Sequence, residues 1–251
     1  YNGDWLRFGG VVEPQRLTTW PKLIDAARKR LQSLPMDRAA YHWGLVADDQ
    51  YYWYWLQMAP NSTPSETLAA LRTWHRMVHD YAIMPPISHY MAATSFVGNR
   101  VGFYLTSSDM RGRLEPYIGG KFKFGILPLP ETGDLVAKVD GLAVLAADEA
   151  TRHEAMLLAA RMTEQPVQEA LFLEYGKLMV RDDPALAAHN LDEMQQVLLA
   201  LSERVRPIAR TDNPVLMHER YTMLLEQVEL MEDGWDESAL RDWMARAGLG
   251  R

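Results

Sequence analysis

The segment Val101-Gly102-Phe103-Tyr104-Leu105-Thr106-Ser107-Ser108-Asp109 begins as a β-rich run and ends in residues that are typical of a helix start. A strand that leads directly into a helix is the basic unit of α/β folds. Residues 122–127 and 142–146 also favour strands, and residues 42–46 do so more weakly. The chain is therefore predicted to contain a few short strands. The segments between them indicate which elements pack against these strands.

Helix signals outnumber these strand signals. Thr19 is placed to cap a helix on which Leu23, Ile24 and Ala27 share one face. Thr63-Pro64-Ser65-Glu66 combines a capping box with a proline at the first helical position. The predicted helices cover residues 20–32, 64–81, 149–163, 167–175, 190–205, 214–233 and 237–248. Because helices and strands alternate along the chain, we predict a helix-rich α/β protein.

Composition excludes several classes of function. The 251 residues are 48% hydrophobic and 24% charged, which is typical of a globular protein with a packed core. A net charge of −7 argues against a nucleic-acid partner, which would require a basic face. The absence of cysteine excludes disulfides, a cysteine-ligated zinc site and a thiol nucleophile. No apolar run approaches the roughly 20 residues of a membrane span, and Tyr1 opens a polar, aromatic stretch unlike a signal peptide.

Six segments stand out, in this order: Tyr1-Asn2-Gly3-Asp4-Trp5-Leu6, Thr18-Thr19-Trp20-Pro21-Lys22-Leu23, Phe96-Val97-Gly98-Asn99-Arg100-Val101-Gly102-Phe103, Lys123-Phe124-Gly125-Ile126-Leu127-Pro128-Leu129-Pro130, Glu174-Tyr175-Gly176-Lys177-Leu178-Met179-Val180-Arg181 and Asp236-Glu237-Ser238-Ala239-Leu240. Together they resemble the binding proteins of ABC importers, the family that includes the maltose- and glycerol-phosphate-binding proteins. No single segment is specific, but their order extends over nearly the whole chain.

This resemblance implies a periplasmic-binding-protein-like (type II) lobe with a remnant of the second lobe. Residues 1–121 and 171–251 would form the C-terminal α/β lobe, and residues 122–170 would belong to an incomplete N-terminal lobe, most of which is absent from the sequence. The implied function is capture of a small polar ligand for the membrane permease subunits of an ABC importer, with no catalysis. The implied location is periplasmic or extracellular, with a lipid anchor outside the present sequence as an option.

An aromatic and acidic segment supplies the first candidate ligand residues. Sugar sites combine flat aromatic faces with planar polar groups, and the resemblance places such a segment here. The candidates are Asp49, Gln50, Tyr51, Tyr52, Trp53 and Trp55. The alternative interpretation is that two or three of these aromatic side chains belong to the core.

Other candidates come from junctions between elements. Ser107, Ser108 and Asp109 lie where a strand meets a helix, a position that exposes hydroxyls and backbone N–H groups; plain helix capping is the alternative. The resemblance adds Asp140 and Gly141, in place of a glycine-rich turn, together with Tyr175.

The last candidates concern the class of ligand. By resemblance, Arg210 matches an arginine that pairs with phosphate in the glycerol-phosphate-type members, and Tyr221 matches an aromatic contact of the sugar-binding members. A surface ion pair is the alternative for Arg210. We predict a sugar or oligosaccharide ligand, with glycerol-3-phosphate or a glycerophosphodiester as the alternative.

A metal site and an enzyme are the remaining hypotheses. His75 and His79 are four residues apart on a predicted helix, but no carboxylate follows at a useful spacing, so we expect neither a metal nor a cofactor. A carbohydrate-active enzyme would also pair aromatics with carboxylates. No nucleotide-binding or nucleophile motif is present to support one, so no catalytic residue is predicted.

Overall fold

The computed structural model describes residues 1–35, 41–48, 63–86, 91–130, 135–137, 142–145, 148–179, 186, 189–207 and 214–248. Its helices are α1 (Gly3–Phe8), α2 (Trp20–Gln32), α3 (Pro64–His75), α4 (Ala92–Val97), α5 (Met110–Ile118), α6 (Glu149–Met162), α7 (Gln165–Tyr175), α8 (Glu193–Ser202), α9 (Pro214–Glu229) and α10 (Glu237–Arg246). Its strands are β1 (Trp43–Ala47), β2 (Val101–Leu105), β3 (Leu135–Ala137) and β4 (Val205–Pro207). Helices predominate, as predicted.

The strands of the described residues form two parallel pairs. Strand β1 pairs with β2, with Leu45 opposite Phe103 and Ala47 opposite Leu105. Strand β3 pairs with β4, with Leu135 opposite Val205. Parallel neighbours require a crossover, and helices α3 and α4 lie between β1 and β2 in the sequence.

Helices cover both faces of the β1–β2 pair, as the side-chain alternation of these strands requires. Leu45 and Phe103 belong to the larger core, which also contains buried residues of α1, α2, α3, α9 and α10. Val46 points to the opposite face and packs with Phe96 of α4 and Leu114 of α5. A third, smaller core contains Phe172, Leu186 and Leu198, from residues 172–198.

The helix caps account for most helix boundaries. Thr63 and Glu66 form the predicted capping box at the start of α3, and Gly176 ends α7 in the left-handed region at φ 71°. Helix α3 continues into a π-helical turn, Arg76–Asp80, instead of running unchanged to residue 81. The predicted start at Asn190 is wrong, because Asp192 forms a capping box with Gln195 and α8 begins after it.

Two strand predictions are wrong. Residues 122–127 contribute one isolated antiparallel bridge, between Asn2 and Phe124, because only the short stretch Tyr1–Gly3 pairs with their backbone. Residues 142–145 form no strand, and Leu145 is 96% exposed, so this apolar run has neither a paired neighbour nor a covering layer among the described residues. Helices α1 and α4 were not predicted.

Trp5 packs directly on the backbone of β2. A methyl group added at Gly102 would lie 2.4 Å from ring atoms Cε3 and Cζ3 of Trp5, and Trp5 itself is buried. The indole therefore occupies the space that a side chain at position 102 would need.

We expect Gly102→Ala to lower the free energy of unfolding by about 1–3 kcal/mol, because the extra methyl overpacks a filled core. Urea unfolding of the variant measures this loss. The matched control is Gly102→Ala in a Trp5→Phe background, where the smaller ring leaves room. If Gly102→Ala costs as much in that background as in the parent chain, Trp5 is not the group that excludes the methyl.

Candidate functional site

A carboxylate links the carboxyl ends of β1 and β2. Asp48 directly follows β1, and its side chain accepts hydrogen bonds from Tyr104 Oη, at 2.6 Å to each carboxylate oxygen, and from Thr106 Oγ1, at 2.9 Å. In open α/β sheets, ligands bind in the crevice outside the carboxyl ends of the strands. Asp48 therefore lies at the edge where a ligand is expected, immediately before the aromatic segment 49–55.

Asp48 was not among the predicted ligand residues. The predicted ligand residues begin at Asp49, although Asp48 opens the same aromatic and acidic segment. Its position in the sequence could have identified it, because a carboxylate directly after a buried strand lies at the edge of a parallel sheet where ligands bind.

The turn Ser107–Asp109 joins β2 to α5. Ser107 Oγ donates to the carboxylate of Asp109, and that carboxylate also lies 3.5 Å from Arg113. Asp109 occupies the N-cap position, but its side chain caps no backbone N–H. The Asp109 carboxylate therefore does not cap the helix, which was the alternative interpretation of this residue.

A cavity of about 250 Å³ lies beside this turn, lined by Asp109, Arg113, Leu171, Tyr175 and Lys177. Tyr175 is 40% exposed. Hydrogen bonding to Glu174 raises the pKa of Tyr175. The structure thus brings Asp109 and Tyr175, predicted from separate segments, to one cavity.

Two glycines allow α5 and α7 to approach this closely. A methyl group at Gly112 would lie 2.8 Å from the Glu174 carbonyl oxygen and 2.9 Å from Tyr175 Cα. One at Gly176 would lie 2.9 Å from the Ser108 carbonyl oxygen. The backbone of the Ser107–Asp109 turn and the end of α7 are therefore in direct contact.

The other predicted residues fall in two groups. Tyr221 lies on α9, partly buried against the larger core; burial raises its pKa, and it does not line the cavity. The remaining ones lie outside the described residues: Asp49, Gln50, Tyr51, Tyr52, Trp53, Trp55, Asp140, Gly141 and Arg210.

The histidine pair is built into the packing of α3. His75 Nε2 donates to the Met231 carbonyl oxygen at 3.0 Å, and the His75 and His79 rings are 4.6 Å apart. Within the described ranges, no group of three or more histidines or carboxylates could hold a metal ion. No described helix is long and apolar enough to cross a membrane.

Comparison with known proteins identifies the family. The model for bacterial extracellular solute-binding proteins matches residues 5–190. The chain belongs to this family. Membership in the bacterial extracellular solute-binding proteins confirms the resemblance seen in the six sequence segments. No curated protein sequence matches the chain significantly.

Solved structures confirm the periplasmic-binding-protein-like α/β fold. UgpB from Mycobacterium tuberculosis in complex with glycerophosphocholine has a TM-score of 0.77 at 16% identity, covering 99% of this chain and 66% of its own. The substrate-binding protein Lmo0181 from Listeria monocytogenes in complex with cycloalternan gives 0.73 at 14%, covering 99% and 67%. The maltodextrin-binding MalE from Bdellovibrio bacteriovorus bound to maltotriose gives 0.71 at 17%, covering 99% and 68%. This solute-binding protein chain thus spans about two thirds of the length of these structures.

We expect Thr106→Val to lower the free energy of unfolding by about 1–3 kcal/mol, because it removes a hydrogen bond to a charged carboxylate at constant shape. Thermal unfolding at fixed pH measures the change. The matched control is Thr73→Val, whose exposed hydroxyl donates only to the Ala69 carbonyl oxygen of its own helix. Equal losses for the two variants would contradict a special contribution from Asp48.

Proposed function

We propose that this solute-binding protein captures a sugar or oligosaccharide in the crevice at the carboxyl ends of β1 and β2. The observation that carries the proposal is the cavity that brings the Asp109 carboxylate together with the partly exposed ring of Tyr175. Asp48 accepts a hydrogen bond from Thr106, three residues before Asp109, at the same end of the strands. Carboxylates accept hydrogen bonds from sugar hydroxyls, and an aromatic ring packs on the apolar face of a sugar.

The carboxylates at this edge suit a ligand that carries hydroxyl groups. The Asp48 carboxylate accepts hydrogen bonds from two protein hydroxyls, those of Tyr104 and Thr106. Asp109 is balanced by Arg113 at 3.5 Å. A polyol offers hydroxyl donors to both carboxylates, whereas an anion would depend on Arg113 and Lys177, the two cations that line the cavity with Asp109.

The predicted aromatic segment would extend the same surface. Asp48 directly follows β1, and the proposed aromatic contacts come next in the sequence. Tyr51, Tyr52, Trp53 and Trp55, with Asp49 and Gln50, remain our proposed sugar contacts, and Asp140, Gly141 and Tyr221 remain proposed contacts from the resemblance.

A glycerophosphodiester is the second candidate ligand. Arg113 and Lys177 both line the cavity, and the UgpB structure that shares this fold holds glycerophosphocholine. In this alternative Arg210 would supply the bidentate contact to phosphate that a guanidinium makes well.

The proposed partners follow from the family. We infer that the protein delivers its ligand to the permease subunits of an ABC importer from a periplasmic or extracellular location, held there by a lipid anchor if one exists, and that it catalyses no reaction. We also retain the division into a lobe of residues 1–121 and 171–251 and a segment, 122–170, of a second lobe. Support comes from α6 within that segment: it has no buried residue, and Leu157 and Leu158 are more than half exposed.

For the natural full-length protein, we expect calorimetric titration to show a higher affinity for maltotriose than for glycerophosphocholine. Trp55→Ala or Tyr52→Ala should then cost about 2 kcal/mol or more of binding free energy, whereas Arg210→Ala should change it little. For a phosphate-bearing ligand, Arg210→Ala should be at least as damaging, and Arg210→Lys should restore binding only in part.

Indifference to all three substitutions would contradict both versions and place the site elsewhere. Release of reducing ends from maltotriose during incubation would contradict the binding function in favour of a carbohydrate-active enzyme. Catalytically inactive preparations that still bind would support transport.

We expect the 251-residue chain alone to bind the same ligand only in the millimolar range. Type II binding proteins close two lobes on the ligand, and closure contributes contacts and excludes water. Calorimetry of the 251-residue chain beside the full-length protein measures the difference. Micromolar binding by the chain alone would show that these residues contain the whole site.

A further inference from the structure

Arg111 is a buried cation beside the candidate site. It lies in the first turn of α5, two residues after Asp109, and is only 8% exposed. Its guanidinium donates from Nη2 to Asp192, which lies 81 residues further along the chain, and is 4.0 Å from Glu115. Nε and Nη1 of the same group are buried and have no hydrogen-bond partner among the described residues.

Stabilisation of the fold alone is a weak explanation for a buried guanidinium such as that of Arg111. Arg111 loses its hydration on burial, whereas the Asp192 side chain stays 46% exposed, so attraction to Asp192 offsets the desolvation of the guanidinium only in part. Two buried nitrogens without a hydrogen-bond partner in the described part of the chain add to that cost. The best attested use of a buried polar pair is to specify one arrangement of elements among several.

The partner of Arg111 is part of a second polar structure. Asp192 caps α8: its Oδ1 accepts from the Gln195 N–H at 2.8 Å, and its own N–H donates to Gln195 Oε1 at 2.9 Å. Gln195, also 8% exposed, donates from Nε2 to the Leu173 carbonyl oxygen at 2.9 Å. Leu173 lies two residues before Tyr175, in the last turn of α7.

The hydrogen bonds therefore run from the Ser107–Asp109 side of the cavity to the Tyr175 side. One end is Arg111, whose backbone N–H donates to the Ser108 carbonyl oxygen at 3.2 Å. The other end is the α7 backbone, which the glycines at 112 and 176 bring against the same turn. We propose that Arg111, acting through Asp192 and Gln195, is a positioning residue that sets the separation between the Ser107–Asp109 turn and Tyr175.

This inference deepens the proposed function, because the turn and Tyr175 are two walls of the candidate ligand cavity. Arg111 does not line that cavity, so its effect on a ligand would be indirect. Its role in arranging the two walls can also be measured without any ligand, so the two proposals can fail separately.

The first experiment is hydrogen–deuterium exchange of the ligand-free 251-residue chain. We expect Arg111→Met to speed amide exchange about tenfold in peptides covering residues 107–112 and 172–177, with little change elsewhere. Arg111→Lys should restore part of the protection. The matched control is Arg241→Met, which removes an exposed ion pair to Glu237 on α10 and should leave both peptides unchanged.

A second variant keeps the test valid if Arg111→Met does not fold. Asp192→Asn retains an oxygen that can cap Gln195 but removes the charge that Arg111 meets, and it should produce the same local pattern. Unchanged exchange in both peptides would overturn the proposal. So would an increase spread equally over all helices, α10 included, because Arg111 would then act only on global stability.

The second experiment uses the full-length protein with maltotriose and glycerophosphocholine as probes. We expect Arg111→Met to weaken the binding of whichever probe the parent protein binds by about tenfold, with partial recovery in Arg111→Lys. The Arg111→Met/Asp192→Asn double variant should bind as weakly as each single variant. Additive losses would overturn the relay, and failure of the parent protein to bind either probe would contradict the proposed function while leaving the exchange result to decide on Arg111.

Discussion

The contact of Trp5 with Gly102 is the constraint on which the rest of this structure depends. A side chain at position 102 would occupy the place of the indole, so the strand can be flat against α1 only because glycine stands there. With β2 held in this way, its pairing to β1 places Leu45 beside Phe103 and directs both into the larger core. The same pairing brings Asp48 and Thr106 to one edge, where Thr106 Oγ1 lies 2.9 Å from Oδ2 of Asp48.

The candidate cavity depends on a second close approach of backbones. At Gly112 and Gly176 the start of α5 and the end of α7 touch without intervening side chains. Tyr175 and Asp109 line one cavity at this contact, and hydrogen bonds of Arg111, Asp192 and Gln195 join the same elements. Direct backbone packing and a hydrogen-bond network that includes an ion pair thus join the same two helices.

Local signals predicted the helices well and the strands less well. The Thr63–Glu66 capping box and the left-handed Gly176 act through neighbouring residues, so the sequence contains all that is needed to interpret them. The apolar run at 142–145 has the composition of a strand, yet whether it pairs depends on what lies beside it in space. The predicted helix start at Asn190 is wrong for a different, local reason: Asp192, two residues later, occupies the cap position through its reciprocal hydrogen bonds with Gln195.

The sequence by itself determined the α/β class, most helix boundaries and membership in the solute-binding proteins, because caps, periodicity and ordered motifs are properties of neighbouring residues. It also singled out Ser107, Asp109 and Tyr175 one by one. Only the tertiary structure decided that Asp109 and Tyr175 share a cavity, that Asp48 ties two strand ends together, and that Arg111 reaches Asp192 across 81 residues. These relations are distances between groups far apart in the chain, and they are set by how closely whole elements can pack.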